Sequence, residues 1–144
     1  MQVRDVLRAK GRRVVQIGPE ATVGEAIARL VQQNIGSLPV VDRDGRVVGI
    51  FTERDVLRGF HNRGEGFCQA RISEVMTARP ISCDVDEPVH DAMGKMSDHQ
   101  VGQLPVLDGE ELVGVVSVGD VVKLLHENAE AENRHLLAYL YGAV

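Results

Sequence analysis

Residues 35–55 read IGSLPVVDRDGRVVGIFTERD, and residues 101–120 read VGQLPVLDGEELVGVVSVGD. The two stretches belong to a longer repeat, because Val23–Asp42 aligns without a gap on Val89–Asp108 and shares seven of 20 positions with it. After a one-residue deletion in a turn, the identities resume as far as an S/T-x-x-D motif in each copy. A repeat of this kind indicates one supersecondary unit built twice, and the usual reason is that neither copy can bury its apolar face alone.

Each copy has the pattern of a strand, a helix, two further strands and a second helix. In the first copy Val14–Ile17 predicts a short strand, and Thr22 with Glu25 forms a capping box before a helix of about three turns. The run LPVVD then predicts a buried strand, DRDG a hairpin turn and RVVGIF the return strand. The second copy repeats this order, with a strand at Ile81–Cys83 and a last helix that begins at Ser117.

The repeat predicts two units along the chain. Residues 1–66 form the first unit with its leading helix VRDVL, and residues 67–144 form the second unit with a C-terminal helix. Residues 59–71 carry three glycines and predict a connector, and ISEVM predicts a short helix that leads into the second unit. The chain stays helical in composition past the repeat, and its apolar end indicates packing on the domain or on a second subunit. The apolar residues of this end are Leu136, Leu137, Leu140 and Tyr141.

The composition disfavours several classes of protein. The 144 residues are 44% hydrophobic, which is ordinary for a globular domain, and 16 Lys and Arg against 21 Asp and Glu give a net charge of −5. This charge disfavours nucleic acid and anionic lipid as partners, and no apolar run approaches the roughly 18 residues that span a bilayer. We therefore expect a cytoplasmic protein with no nucleic-acid or membrane partner. Cys68 and Cys83 lack the spacing of a disulfide framework, so we expect one loop thiol and one packed thiol.

The S/T-x-x-D motifs lie at Thr52–Asp55 and Ser117–Asp120, where an apolar run ends and a helix begins. One interpretation is a capping box of the kind that Thr22 and Glu25 predict. The other is a ligand site, and it is favoured here because Asp is shorter than Glu and so less suited to the reciprocal bond of a capping box. The two interpretations are compatible, since one hydroxyl can cap a helix and also meet a phosphate.

The LPVVD and LPVLD strands, the hairpins, the S/T-x-x-D motifs and the repeat spacing together resemble the tandem CBS-domain pair, or Bateman module, over nearly all of the chain. The two ends of the chain further resemble stand-alone bacterial CBS-domain proteins. The resemblance implies an α/β (α+β) fold of two β-α-β-β-α repeats packed as a pseudo-twofold pair, with a C-terminal helical extension. It also implies a non-catalytic sensor that binds adenine nucleotides of the AMP, ADP, ATP or NAD type, forms a homodimer and signals to an unidentified regulated protein.

The resemblance implies two nucleotide sites in clefts between the copies, with a ribose on the Asp of each S/T-x-x-D motif. A carboxylate can accept from both ribose hydroxyls, and a helix N-terminus offers N–H groups and a positive dipole end to a phosphate. One ligand is expected against Ser117 and Asp120, with adenine near Val15, Ile35 and Ser37. The other is expected against Thr52, Arg54 and Asp55, with adenine near Ile81, Val101 and Gln103.

The two motifs differ in charge, because the first contains Arg54 where the second contains Gly119. Arg54 can pair with a phosphate or remain a solvated surface side chain, and a basic run offers phosphate contacts to the other cleft. The candidates in that run are Lys10, Arg12 and Arg13. We therefore expect two sites that differ in affinity or in ligand.

No other chemistry has support in the order of residues. The five histidines lack metal-ligand spacing, and no catalytic triad, Cys-His pair or phosphate-cradling Gly loop can be identified, so we expect no metal centre and no catalytic residue. The acidic groups Asp84, Asp86 and Glu87, or Glu110 and Glu111, have the hard oxygen ligands that suit Mg²⁺. A divalent-metal (Mg) sensor and a structural dimerisation module with empty clefts therefore stay open as alternatives.

Overall fold

The computed structural model describes residues 1–11 and 14–142, and its strands form two three-stranded sheets. The strand order is β1-β2-β3 in the first sheet and β4-β5-β6 in the second. The elements are α1 (Val3–Lys10), α2 (Val23–Gln33), β1 (Ser37–Val41), β2 (Val47–Thr52), α3 (Glu53–Arg63), a 3₁₀ helix (Gly64–Gln69), α4 (Ile72–Val75), β3 (Thr77–Ala78), β4 (Cys83–Asp84), α5 (Val89–His99), β5 (Gln103–Asp108), β6 (Glu111–Ser117) and α6 (Val118–Tyr141). The two similar α/β units and the long C-terminal helix agree with the prediction.

The predicted hairpins form in both copies. β1 pairs antiparallel with β2, β5 pairs antiparallel with β6, and each ladder has a register shift at the same place in the repeat, at Val40/Val41 and Val106/Leu107. In the first turn, one carboxylate oxygen of Asp42 accepts from two N–H groups of the turn backbone, each at 2.9 Å. This local bonding is the reason that an Asp at the end of the strand favours a turn.

The first strand of each copy is shorter than predicted. Within Val14–Ile17 only Ile17 pairs, through one parallel bridge to Val40, and the Gly and Pro that follow it end the extended run. In the second copy the pairing falls on Cys83–Asp84 rather than on Ile81–Cys83, and Ile81 instead packs against the core without a ladder bond. The apolar runs at Val14–Ile17 and Ile81–Cys83 therefore predict buried side chains correctly, but they predict strand pairing only in part.

The predicted connector is largely helical, which is a further difference from the sequence prediction. α3 continues to Arg63 and the 3₁₀ helix follows, because Phe67 is fully buried and its ring stacks edge-on against Phe60 at 5.2 Å between centroids. The two-residue strand β3 then pairs with β2. No sequence pattern had predicted β3, since two residues carry no periodicity.

The two cores exchange their leading helices. Val3 and Val6 of α1 are buried in the core that contains β4, β5 and β6, whereas Ile72 of α4 is buried in the core that contains β1 and β2. Backbone bonds fix both helices, from the Val3 N–H to the Glu87 carbonyl at 2.9 Å and from the Ile72 N–H to the Ala21 carbonyl at 2.8 Å. The division at residue 66 stays a prediction about units of sequence, and the cores do not follow it.

Gly49 and Gly114 occupy equivalent positions in the two copies. At each of them, a residue of an exchanged helix or of the segment just after it lies against the sheet. A Cβ at Gly49 would lie 2.3 Å from Met76 Sδ, just after α4, and a Cβ at Gly114 would lie 2.8 Å from Leu7 Cδ2 of α1. Real Cβ atoms do not approach other atoms so closely, so a side chain at either position would force Met76 or Leu7 to move.

The end of α6 does not pack on the described part of the chain, so one of the two predicted locations for it is wrong. Val121 is buried near the start of the helix, but Leu136 is 56% exposed and Tyr141 is 79% exposed. A second subunit remains as the predicted partner of this surface. Among residues 1–11 and 14–142, no helix is long and apolar enough to cross a membrane.

We predict opposite effects of the same substitution at two helical glycines. A Cβ at Gly59 in α3 would lie 2.0 Å from the ring of Phe67, whereas nothing lies within 4 Å of a Cβ at Gly94 in α5. Gly94→Ala should stabilise the protein by up to about 1 kcal/mol, since alanine favours helix. Gly59→Ala should destabilise it by about 1–3 kcal/mol, because the buried ring must move. Urea denaturation measures both, and equal stability of the two variants would contradict this packing.

Candidate functional site

Both S/T-x-x-D motifs form complete capping boxes. The Thr52 N–H donates to Asp55 Oδ2 at 2.9 Å, and the Ser117 N–H donates to Asp120 Oδ2 at 3.0 Å. The expectation that Asp is less suited than Glu to this bond is wrong, because the Glu25 carboxylate accepts from the Thr22 N–H at 3.2 Å. The N-cap φ is −126° at Thr52 and −116° at Ser117, against −84° at Thr22, so the N-cap backbone differs where the shorter Asp makes this bond. The Asp residues are therefore no evidence against capping.

Capping uses only one oxygen of each carboxylate. The described hydrogen bonds of Asp55 and Asp120 end on Oδ2, and within the described ranges no donor reaches Oδ1 of either residue. Both side chains line cavities, so each motif presents one acceptor oxygen that the fold does not use. A cap and a ligand contact can therefore coexist on one residue.

The first cavity, cleft A, has a volume of about 250 Å³. Its walls come from both repeats, since residues before and at the start of β1 face the end of β6 and the first turn of α6. The five residues predicted for the ribose and adenine of this ligand all line it, namely Val15, Ile35, Ser37, Ser117 and Asp120. Lys10, Val14, Asn34 and Val115 also line it and, apart from Lys10, were not predicted.

Lys10 forms an ion pair with Asp120, the carboxylate of cleft A. Its ammonium group donates to Asp120 Oδ2 at 2.8 Å and to the Val115 carbonyl at 2.8 Å. The Asp120 side chain is 23% exposed, so this ion pair is partly shielded from water. Lys10 was predicted as a phosphate contact, and here it lies on the predicted ribose acceptor instead. Arg12 and Arg13, the other predicted phosphate contacts, lie outside the described residues.

The second cavity, cleft B, is larger, at about 690 Å³. Its walls also come from both repeats, since the start of α3 faces the end of α5 and the segment before β4. Six predicted site residues line it, namely Thr52, Arg54, Asp55, Ile81, Val101 and Gln103. The volume lies within the roughly 300–1,000 Å³ of small-molecule sites, whereas cleft A lies just below that range.

Cleft B contains cations that the sequence analysis missed. Arg58 and Arg79 line it together with Arg54, whose guanidinium crosses the cleft and donates to the Gln100 carbonyl at 3.4 Å. Arg58 could have been found from its place one helical turn after Arg54. Arg79 could not, because it follows β3, whose pairing brings it to the cleft.

Gly36 and Gln103 line both cavities and separate them. A Cβ at Gly36 would lie 2.8 Å from Gln103 Nε2, so the two repeats touch at this point. Gln103 was predicted for the second cleft only.

Two of the five acidic residues that suit Mg²⁺ form ion pairs. Asp86 forms an ion pair with Arg4, and Glu87 forms one with Lys95 at 2.7 Å. In the described part of the chain, no group of three His, Cys, Asp or Glu side chains is placed to hold a metal ion.

Of the two thiols, Cys68 is partly exposed and Cys83 is buried. Burial, reinforced by the Glu87 carboxylate, raises the pKa of Cys83 to about 12, so this thiol stays protonated at neutral pH. Cys68 lies in the 3₁₀ helix rather than in the predicted loop.

Comparison with known proteins adds to this geometry. The CBS domain family matches residues 3–62 and 72–127. The mitochondrial CBS domain-containing protein CBSX3 of Arabidopsis thaliana is 32% identical over 149 aligned positions, which cover 97% of this chain and 72% of that protein. The crystal structure of the CBS-domain containing protein ATU1752 from Agrobacterium tumefaciens is similar with a TM-score of 0.81 at 38% identity, over 85% of this chain and 91% of that one.

Some of the similar structures contain adenosine ligands. PAE2072 from Pyrobaculum aerophilum, a complex with AMP, has a TM-score of 0.76 at 28% identity over 83% of this chain and 89% of that one. The CBS domain pair of protein MJ0100, in complex with 5′-methylthioadenosine and S-adenosyl-L-methionine, has a TM-score of 0.79 at 29% identity over 89% of this chain and 98% of that one.

Proposed function

Because the chain belongs to the CBS-domain family, we propose that it is a non-catalytic regulatory module that binds adenosine-containing ligands in clefts A and B. The observation that carries this proposal is that Asp55 and Asp120 line cavities built from both repeats, while the described hydrogen bonds of each carboxylate end on Oδ2 and leave Oδ1 unused. The ligands of the two similar complexes, AMP, 5′-methylthioadenosine and S-adenosylmethionine, all contain an adenosine ribose. We propose AMP, ADP, ATP or NAD as ligands of this chain.

The proposed ligand contacts follow from the position of each residue. Asp55 or Asp120 accepts from the ribose hydroxyls, and the N-terminus of α3 or α6 attracts the phosphate. The base lies against the apolar side chains of the opposite repeat, which are Val15 and Ile35 in cleft A and Ile81 and Val101 in cleft B. Burying the faces of the base there removes apolar area from water.

Regulation follows from clefts that both repeats build. A ligand that touches both repeats binds one relative arrangement of them better than another, so occupancy shifts the population of arrangements. A second protein would then respond to the favoured arrangement. The clefts are also unequal, because Lys10 already neutralises the Asp120 carboxylate through Oδ2, whereas no cation pairs with Asp55 in the described part of the chain.

Asp55→Asn is the sharpest test of the proposed contact. The amide oxygen of Asn can keep the cap bond from Thr52, but its NH₂ group replaces the acceptor that the ribose needs. We predict that affinity for AMP at cleft B falls at least about tenfold, as for the loss of a charged hydrogen bond. Isothermal titration calorimetry measures the affinity, and ligand-dependent melting provides a second readout.

The matched control is Asp5→Asn. Asp5 caps α1 with the same geometry, since the Gln2 N–H donates to its Oδ2 at 2.9 Å, but it lies outside both clefts. Both variants should lose a similar stability of about 0.3–1 kcal/mol, because each removes a negative charge from a helix N-terminus. If Asp55→Asn binds AMP like Asp5→Asn, the ribose contact is wrong.

We also propose that the module is a homodimer joined through α3 and α6. The two helices are equivalent in the repeat, and both expose apolar side chains: Leu57 is 74% exposed, Val122 is 54% exposed and Leu125 is 47% exposed. Burying such faces against a second copy supplies the apolar centre of an interface. The apolar end of α6 extends the same helix.

Sedimentation equilibrium tests the homodimer. We expect twice the chain mass of 15.7 kDa for the native protein and the single mass for Val122→Asp, since a buried unpaired charge opposes association. The control is Val31→Asp on α2, where the native side chain is 73% exposed, and it should remain a dimer. A native monomer would contradict the proposal.

A further inference from the structure

Three arginines line cleft B from two segments of the chain. Arg54 and Arg58 come from α3, and Arg79 comes from the turn after β3. Across residues 1–11 and 14–142, none of the three forms an ion pair. In contrast, Arg4, Arg63 and Arg71 each pair with a carboxylate elsewhere on the surface.

Arg54 and Arg58 lie four residues apart, so their side chains share one face of α3. Like charges at this spacing destabilise a helix, and the fold offers little compensation. The contact of Arg54 is a long bond of 3.4 Å to a neutral carbonyl, that of Gln100. Both guanidinium groups therefore line the cleft, and neither forms an ion pair with a described residue.

Arg79 has an unfavourable backbone conformation for its residue type. Its φ is 49°, in the left-handed region, where glycine has no penalty and other L-residues do. The backbone itself needs no arginine, since its one described bond is from the N–H to the Val48 carbonyl at 3.2 Å. Strain of this kind at a cleft points to a role for the side chain.

The carboxylates of cleft B do not cancel this charge. Glu53 and Asp55 also line the cavity, against three guanidinium groups, and the proposed ribose contact uses Asp55. Guanidinium groups bind phosphate through paired N–H donors, and each added phosphate adds negative charge and two or more acceptor oxygens. The volume of about 690 Å³ leaves space beyond a single phosphate, whereas the 250 Å³ of cleft A is much smaller.

We infer that cleft B selects adenosine ligands that carry two or more phosphate groups, through Arg54, Arg58 and Arg79. This inference rests on the proposed function, since Asp55 must hold the ribose for the phosphates to reach the arginines. The inference concerns only the contacts of the phosphate chain. It can therefore be wrong even if cleft B binds adenosine.

Calorimetric titration of the full chain with adenosine, AMP, ADP, ATP and NAD tests the inference. We expect the tightest of ADP, ATP and NAD to bind cleft B at least about tenfold more tightly than AMP. The ADP and ATP arms represent a terminal phosphate chain, and the NAD arm represents a bridging diphosphate, so their order identifies the source of the second phosphate. Higher salt should weaken the tightest of these ligands more than it weakens AMP.

Arginine variants test which residues cause the preference for ligands with two or more phosphate groups. Arg54→Gln with Arg58→Gln should reduce the ratio of AMP to ATP dissociation constants toward one, and Arg71→Gln, outside the cleft, should leave it unchanged. Arg79→Gly should also reduce the ratio, but without lowering the melting temperature, because it relieves the left-handed strain. That variant separates a lost contact from a damaged fold.

Two outcomes overturn the inference. If AMP binds as tightly as ADP, ATP and NAD, or if the arginine variants leave the ratio unchanged, cleft B does not read the phosphate chain, while the proposed function stands. If neither adenosine nor any of the nucleotides binds, the proposed function fails and this inference fails with it.

Discussion

The exchange of α1 and α4 between the two cores is the contact on which the rest of the structure depends. Each core is completed by a helix from the other half of the sequence, through Val3 and Val6 in one and Ile72 in the other. A fully buried aliphatic side chain contributes about 1.5–3 kcal/mol relative to an exposed one, so neither core is complete alone. The same exchange holds the S/T-x-x-D corner of each repeat beside the opposite repeat, and clefts A and B are the spaces that remain. Gly49 and Gly114 favour the exchange, because a Cβ at either position would force the side chain of Met76 or Leu7 to move.

Capping and ligand binding share the same residues here rather than competing for them. The fold needs Asp55 and Asp120 at the N-termini of α3 and α6, and one oxygen of each meets that need. The other oxygen accepts no described hydrogen bond, and both residues line cavities, so each can contact a ligand without a further residue. Because the same carboxylate caps a helix, a ligand that moves this side chain also moves the first turn of α3 or α6. Ligand binding is therefore coupled to the position of the helix. The Lys10 contact makes the coupling different in cleft A, where the carboxylate already holds an ammonium group.

The sequence predicted what repeats and what is periodic. The hairpins and the capped helices follow from a unit built twice, whereas the joint location of Asp55 with Val101, or of Asp120 with Ile35, was implied by the resemblance to the CBS-domain pair. The sequence did not predict β3 or the position of Arg79, because a two-residue pairing leaves no pattern. It also did not predict the exchange of helices, since VRDVL and ISEVM look the same whichever core they join. The short reach of Asp was misjudged because the reciprocal bond depends on backbone angles at the N-cap, which composition does not report.

The most direct measurement of the central claim is an NMR titration of the ¹⁵N-labelled chain with AMP, followed through backbone amide shifts. We expect amides of Thr52–Asp55 and Val101–Gln103 to shift first, and amides of Ser117–Asp120 to shift only at higher concentration, because Lys10 already neutralises the Asp120 carboxylate. Shifts confined to the exposed end of α6, or no shifts at all, would contradict the claim that the capping carboxylates of the two clefts hold an adenosine ligand.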